Sequence, residues 1–223
     1  MSETISSRIT FRLRIARWLL ARLIHFFFRI QLFGSENIPK GNYVALANHL
    51  LWIDPFLLFA LLPPEPRIYF IGANQAVNRG WKAWLMQVFD VMIPFERGAR
   101  WVGKEVFEKP LRVLRGGAVL AFFPEGDSGK EEGILMPLQR GIGHIILRAD
   151  YPIVPIALGG TLELYWRKEI TVTIGKPFCV NVEGLNHREA IDVAVEQVTS
   201  KMRAVLPVYR EQTVKQKWLK KWL

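Results

Sequence analysis

Residues 43–55 read Tyr43-Val44-Ala45-Leu46-Ala47-Asn48-His49-Leu50-Leu51-Trp52-Ile53-Asp54-Pro55. Five apolar residues predict a buried strand, and the segment after it carries an imidazole and a carboxylate five positions apart. Residues five apart on an α-helix lie about 140° around the axis and do not face each other. His49 and Asp54 therefore meet only across a turn. Pro55 suits the first position of a helix and Asp54 the N-cap before it, so a helix is predicted from Asp54 to about Leu62. Strand, turn and helix in that order define one unit of an α/β fold. A carboxylate so placed can bond one ring nitrogen of His49, fix the tautomer and free the other nitrogen to take a proton. A structural histidine beside a plain helix cap is the competing reading.

The pattern continues outward from this unit. Residues 67–72, 91–95, 118–123, 153–158 and 170–175 read as short apolar strands. Helices are expected over about 55–62, 80–89, 102–114 and 187–205, the last with Ala190, Val193, Ala194 and Val198 inward. Gly116-Gly117 suits a helix C-terminus. Alternating strands and helices predict an α/β domain over residues 35–210, built on a mainly parallel or mixed sheet flanked by helices.

Residues 5–33 read as one long amphipathic helix with possible breaks. Leu13, Ala16, Leu20, Leu23, Ile24 and Phe27 form one face, opposite Arg22 and Arg29. Arg22, His25 and Arg29 interrupt the run too often for a bilayer span, so residues 1–34 are expected to lie in a membrane interface. Residues 211–223, with Trp218, Trp222 and several lysines, form a basic, aromatic tail of similar character.

The 223 residues hold 30 Lys and Arg against 20 Asp and Glu, a formal charge of +10 that calls for an anionic partner. Helix-turn-helix, zinc-finger and aromatic RNA-binding patterns are absent from the sequence, and the terminal cations are interleaved with Trp, Phe and Leu. An anionic membrane surface is expected, and nucleic acid is not. The lone Cys179 excludes an intrachain disulfide and points to a reducing compartment, the cytoplasmic side. His25, His144 and His187 are isolated in sequence, and no metal or cofactor is expected.

Two further segments come off strand ends. Glu96-Arg97-Gly98 offers a guanidinium fork beside a close-approach glycine. Pro124-Glu125-Gly126-Asp127-Ser128-Gly129 gives a rigid turn with a carboxylate where ligands collect in such sheets. Gly129-Lys130 does not make a phosphate-binding nucleotide loop, because Pro124 stands at its first glycine and Glu131 at its hydroxyl position.

Asn48-His49 through Asp54, followed by Phe123-Pro124-Glu125-Gly126, resembles the paired signatures of the glycerolipid acyltransferases related to 1-acylglycerol-3-phosphate acyltransferase. Phe95-Glu96-Arg97-Gly98 is similar to the family's arginine block, Arg140-Gly141 to its basic residue before a helix, and residues 153–158 to its proline-centred strand. The resemblance implies transfer of a fatty acyl group from acyl-CoA or acyl carrier protein to a lyso-lipid hydroxyl. His49 would be the base and Asp54 its orienter. Asn48, Arg97, Glu125, Gly126, Ser128 and Arg140 would contact substrate. One departure stands out: the family's Thr-Arg-Ser after Glu-Gly is Asp127-Ser128-Gly129 here, so a phosphate-gripping arginine is replaced. Two other readings of the same residues are a thioester hydrolase and a catalytically silent membrane-binding module.

Overall fold

The computed structural model describes residues 6–73, 91–95 and 105–206. The helix expected over 80–89, the Arg97 segment, the first residues of the helix expected at 102 and the tail over 211–223 lie outside the described residues.

Helix α1 (Phe11–Phe27) starts where the Thr10 side chain accepts from the Leu13 N–H. It stops at Phe28, and strand β1 (Phe28–Phe33) follows directly. This corrects the expectation of one helix to residue 33. In the last six residues Phe28, Ile30 and Leu32 alternate with Arg29 and Gln31, and the segment pairs in parallel with residues 168–173. The expected apolar face of α1 is also split. Leu13 and Ile24 are buried and Ala16 and Leu20 pack on the core, whereas Leu23 and Phe27 face outward.

The remaining strands are β2 (Val44–Ala47), β3 (Ile68–Ala73), β4 (Met92–Phe95), β5 (Val119–Phe122), β6 (Ile153–Gly159) and β7 (Lys168–Ile174). They form a seven-stranded sheet in the order β1-β7-β6-β2-β5-β3-β4. Every neighbouring pair is parallel except β6 with β7, so the sheet is mixed. The other helices are α2 (Asp54–Leu61), α3 (Glu105–Arg115), α4 (Gly141–Ala149) and α5 (His187–Val205).

The side chains of β2 alternate between two cores. Ala45 and Ala47 join Leu13, Phe56 and Phe59 under α1 and α2. Val44 and Leu46 join Leu111, Ile145 and Val198 under α3, α4 and α5. The outcome is a three-layer sandwich whose central strands β2, β5 and β6 are buried along their whole lengths. α5 opens on a capping box between Asn186 and Glu189. Because β2, β5 and β6 run in parallel, their C-terminal ends emerge together.

Candidate active site

At that common end the loop after β2 delivers His49. Its Nδ1 lies 2.8 Å from Asp54 Oδ2, with the Asp54 side chain fully buried and the His49 ring 22% exposed. Asp54 is the first residue of α2, not the N-cap expected; Ile53 holds the cap position and Pro55 follows. The reason is visible in its contacts. Oδ2 also accepts from the Leu50 and Leu51 N–H groups at 2.6 and 2.8 Å, so the carboxylate ties back the loop that carries the histidine. Oδ1 is buried without a hydrogen-bond partner among the described residues. Nδ1 is thus committed to the acid, and Nε2 is the nitrogen left for chemistry. Phe123 stacks on the imidazole, centroids 4.4 Å apart and planes 26° from parallel, which limits ring rotation.

The turn after β5 holds the backbone of His49 from both sides. The His49 N–H donates to Glu125 Oε1 at 2.8 Å, and the His49 carbonyl accepts from the Gly129 N–H at 2.6 Å. Glu125 Oε2 accepts from the Met136 N–H at 2.9 Å. Burial raises the Glu125 carboxyl above the ordinary carboxylate range, against the two backbone N–H bonds that favour its charged form. Gly126 adopts φ +74, a left-handed conformation open to glycine, and Gln139 Cγ stands 2.9 Å from where a Cβ would be.

The other expected contacts divide. Asn48 is buried: its amide donates to the Leu158 carbonyl at 3.0 Å and accepts from the Leu158 N–H at 2.7 Å, stitching β2 to β6. Both ends of its amide are thus used in joining the two strands beside His49. The Glu125 carboxylate, 2% exposed, is likewise turned to backbone. Ser128 lies exposed on the turn, its N–H bonded to Asp127 Oδ1 at 2.9 Å. Arg140 forks onto Asp192 of α5, with contacts of 2.7 and 2.9 Å, so its guanidinium is already engaged. Arg97 lies outside the described residues.

Three contributors were not assigned from sequence. Gly129 sits tight against the histidine loop, since a Cβ would be 3.2 Å from the His49 carbonyl oxygen and 3.3 Å from Leu50 Cδ2, and that loop would have to give by a few tenths of an ångström. Phe123 reads in the sequence only as part of the Phe-Pro-Glu-Gly motif. Glu132 clamps the connection after β6, accepting from Gly160 N–H at 3.0 Å and Leu162 N–H at 2.9 Å, and burial raises its carboxyl too. A glycine shortly after Pro-Glu-Gly is a visible cue; Glu132 has none, because its partners are 28 and 30 residues away. His144 and His187, isolated in sequence, stand with ring centroids 5.5 Å apart in the α4–α5 layer. Among the described residues no group of three or more His, Cys, Asp or Glu could hold a metal ion.

A mixed, three-layer α/β sandwich with a histidine–carboxylate pair at its converging strand ends defines a class of protein that can activate a hydroxyl. The chain belongs to the Acyltransferase family, whose family model matches residues 29–159, from β1 to the end of β6. It is similar to the 1-acyl-sn-glycerol-3-phosphate acyltransferase of Saccharomyces cerevisiae, 26% identical over 67% of this chain and 51% of that protein. It is also similar to that of Bacillus subtilis, 24% identical over 66% of this chain and 73% of that protein. The chain spans about half the length of several curated relatives it matches. The crystal structure of the 1-acyl-sn-glycerophosphate acyltransferase PlsC from Thermotoga maritima has the same fold, with a TM-score of 0.67 at 20% identity, covering 90% of this chain and 81% of that one.

Proposed function

We propose that this protein moves a fatty acyl group from acyl-CoA or acyl carrier protein to the hydroxyl of a lyso-glycerolipid, with 1-acylglycerol-3-phosphate as acceptor and phosphatidic acid as product. The observation that carries this reading is the 2.8 Å contact between His49 and a fully buried Asp54, at the converging strand ends of an acyltransferase-family fold. The relatives' printed names supply the acceptor.

In this mechanism His49 Nε2 takes the proton of the acceptor hydroxyl as its oxygen attacks the thioester carbonyl. Asp54 stabilises the imidazolium, which then returns the proton to the departing thiolate. General-base help of this kind is worth about two to four orders of magnitude in rate. The acyl group passes directly between substrates, and the acyl thioester is a substrate, not a resident cofactor. Arg97, from its sequence position, is the residue proposed to grip the acceptor headgroup.

The enzyme works at the cytoplasmic face of the membrane as a monotopic or peripheral protein. What supports this is α1, which leaves Phe11, Ile15, Trp18, Leu19 and Leu23 each at least 45% exposed at three- and four-residue spacing. No described helix is long and apolar enough to cross a membrane.

One observation favours a second acceptor class, a lyso-lipid without a phosphate monoester: the exposed side chains on the turn are Asp127 and Ser128, an anion and a hydroxyl. The test is to incubate the protein with acyl-CoA and a panel of lyso-lipids, with and without phosphate headgroups, and weigh the products by mass spectrometry. Transfer is expected to vanish in His49→Ala. Free fatty acid formed at equal rates with and without acceptor would make the protein a hydrolase, and no thioester consumption at all would leave a membrane-binding module.

A further inference from the structure

Phe26, Phe27 and Trp166 make an aromatic cap on the surface. The rings of Phe26 and Phe27 are 5.3 Å apart, and each meets Trp166 edge-to-face, at 5.0 and 5.6 Å. They stay 61%, 42% and 52% exposed. Three aromatics packed edge-to-face and left in water are expensive for a soluble surface and mark a docking element.

The cap belongs to the active-site end of the sheet. α1 ends there because Phe28 is in register with Lys168, the first residue of β7, and β7 runs antiparallel to β6. The connection over residues 160–167 that carries Trp166 is tied at both ends. Glu132 holds Gly160 and Leu162, two and four residues past the Leu158 that brackets Asn48. At the far end the Arg167 N–H donates to the Phe27 carbonyl at 2.7 Å. Exposed His25 and Arg29 neighbour Phe26 and Phe27 along the chain and exposed Arg167 follows Trp166, with Arg22 one turn back over Trp18 and Glu169 in register opposite Arg29. Aromatic rings rimmed by arginines match the headgroup level of an anionic bilayer, apolar below and negatively charged above.

We propose that Phe26, Phe27 and Trp166 insert into the interface of an anionic bilayer, and that the strap over residues 160–167 thereby seats the strand-end site where a lipid acceptor enters. This rests on the lipid-acceptor reading above and adds the element that orients the enzyme.

The experiment uses the full chain and its Trp166→Ala and Phe26→Ala variants. Vesicles of phosphatidylglycerol with phosphatidylethanolamine are compared with phosphatidylcholine alone in a sedimentation assay. Transfer is measured to an acceptor lodged in the anionic vesicles and to a short-chain, monomeric acceptor of the same headgroup. Each variant should lose about tenfold in affinity for anionic vesicles and a similar factor in transfer to the vesicle-held acceptor, while transfer to the monomeric acceptor stays within about twofold. Leu185→Ala, 40% exposed in the turn before α5, should keep full affinity. Unchanged vesicle affinity overturns the proposal, as does an equal loss on both acceptors. So does a wild-type dimer that the variants dissociate without change in vesicle binding. If wild type acylates neither acceptor, the functional reading fails, and sedimentation still decides the cap by itself.

Discussion

Replacing Asp54 by Asn isolates the charge of the dyad from its geometry. The amide oxygen can stand where Oδ2 stands and keep accepting from His49 Nδ1 and the Leu50 and Leu51 N–H groups. The amide nitrogen falls where Oδ1 has no described partner. What disappears is the negative charge facing the imidazolium. At 2.8 Å that attraction is about 6 kcal/mol for an effective dielectric near 20. The neutral amide retains a hydrogen bond worth about 1 kcal/mol. The difference, about 5 kcal/mol, corresponds to roughly three to four orders of magnitude in turnover. Stability should fall by only about 1–3 kcal/mol, for one buried unpaired donor. Asp54→Ala should be worse folded, since it strands two loop N–H groups. The assay is thioester consumption with acceptor present, followed by release of free thiol, alongside thermal denaturation. A folded Asp54→Asn protein with turnover within about tenfold of wild type would refute the reasoning.

Three further outcomes are expected. Glu125→Gln can accept only one of the His49 and Met136 N–H bonds, and a shifted His49 should cut turnover by about 10²-fold. Because the folded Glu125 carboxyl is raised, its favourable contribution is full below the ordinary value of about 4.3 and is lost as pH climbs through the raised value. The stability of wild type relative to Glu125→Gln, measured by urea unfolding, should therefore fall with rising pH across the mildly acidic range. Gly129→Ala puts a methyl 3.2 Å from the His49 carbonyl oxygen, so kcat should drop while the melting temperature moves little. Arg140→Ala breaks an ion pair whose side chains are 51% and 58% exposed; stability should change by about 1 kcal/mol or less and the KM for acceptor should stay put.

The dyad was legible in sequence because it is local: five residues and a proline are enough to force the turn. The central strands were legible because β2, β5 and β6 are apolar runs bounded by turn residues. β1 was hidden because its alternation runs on from a helix without a break, and its partner β7 lies some 140 residues away. The protein partners of Asn48 and Arg140 were hidden for a related reason. Sequence places each near the candidate site but does not show that Leu158, 110 residues on, or Asp192, 52 on, bonds it. Gly129 and Glu132 act through backbone groups brought together only by the closed sheet.

The parallel pairing of β1 on β7 bears on any attempt to obtain a more soluble version of this protein. Starting the chain at residue 35 would remove the greasy helix, but it would also strip six paired residues from the sheet and leave β7 as a raw edge. Ile170, Val172 and Ile174, all buried now, would sit behind unpaired backbone groups open to other chains. Such a truncation trades one sticky surface for another. Polar substitutions on the outer side of the helix are the sounder route.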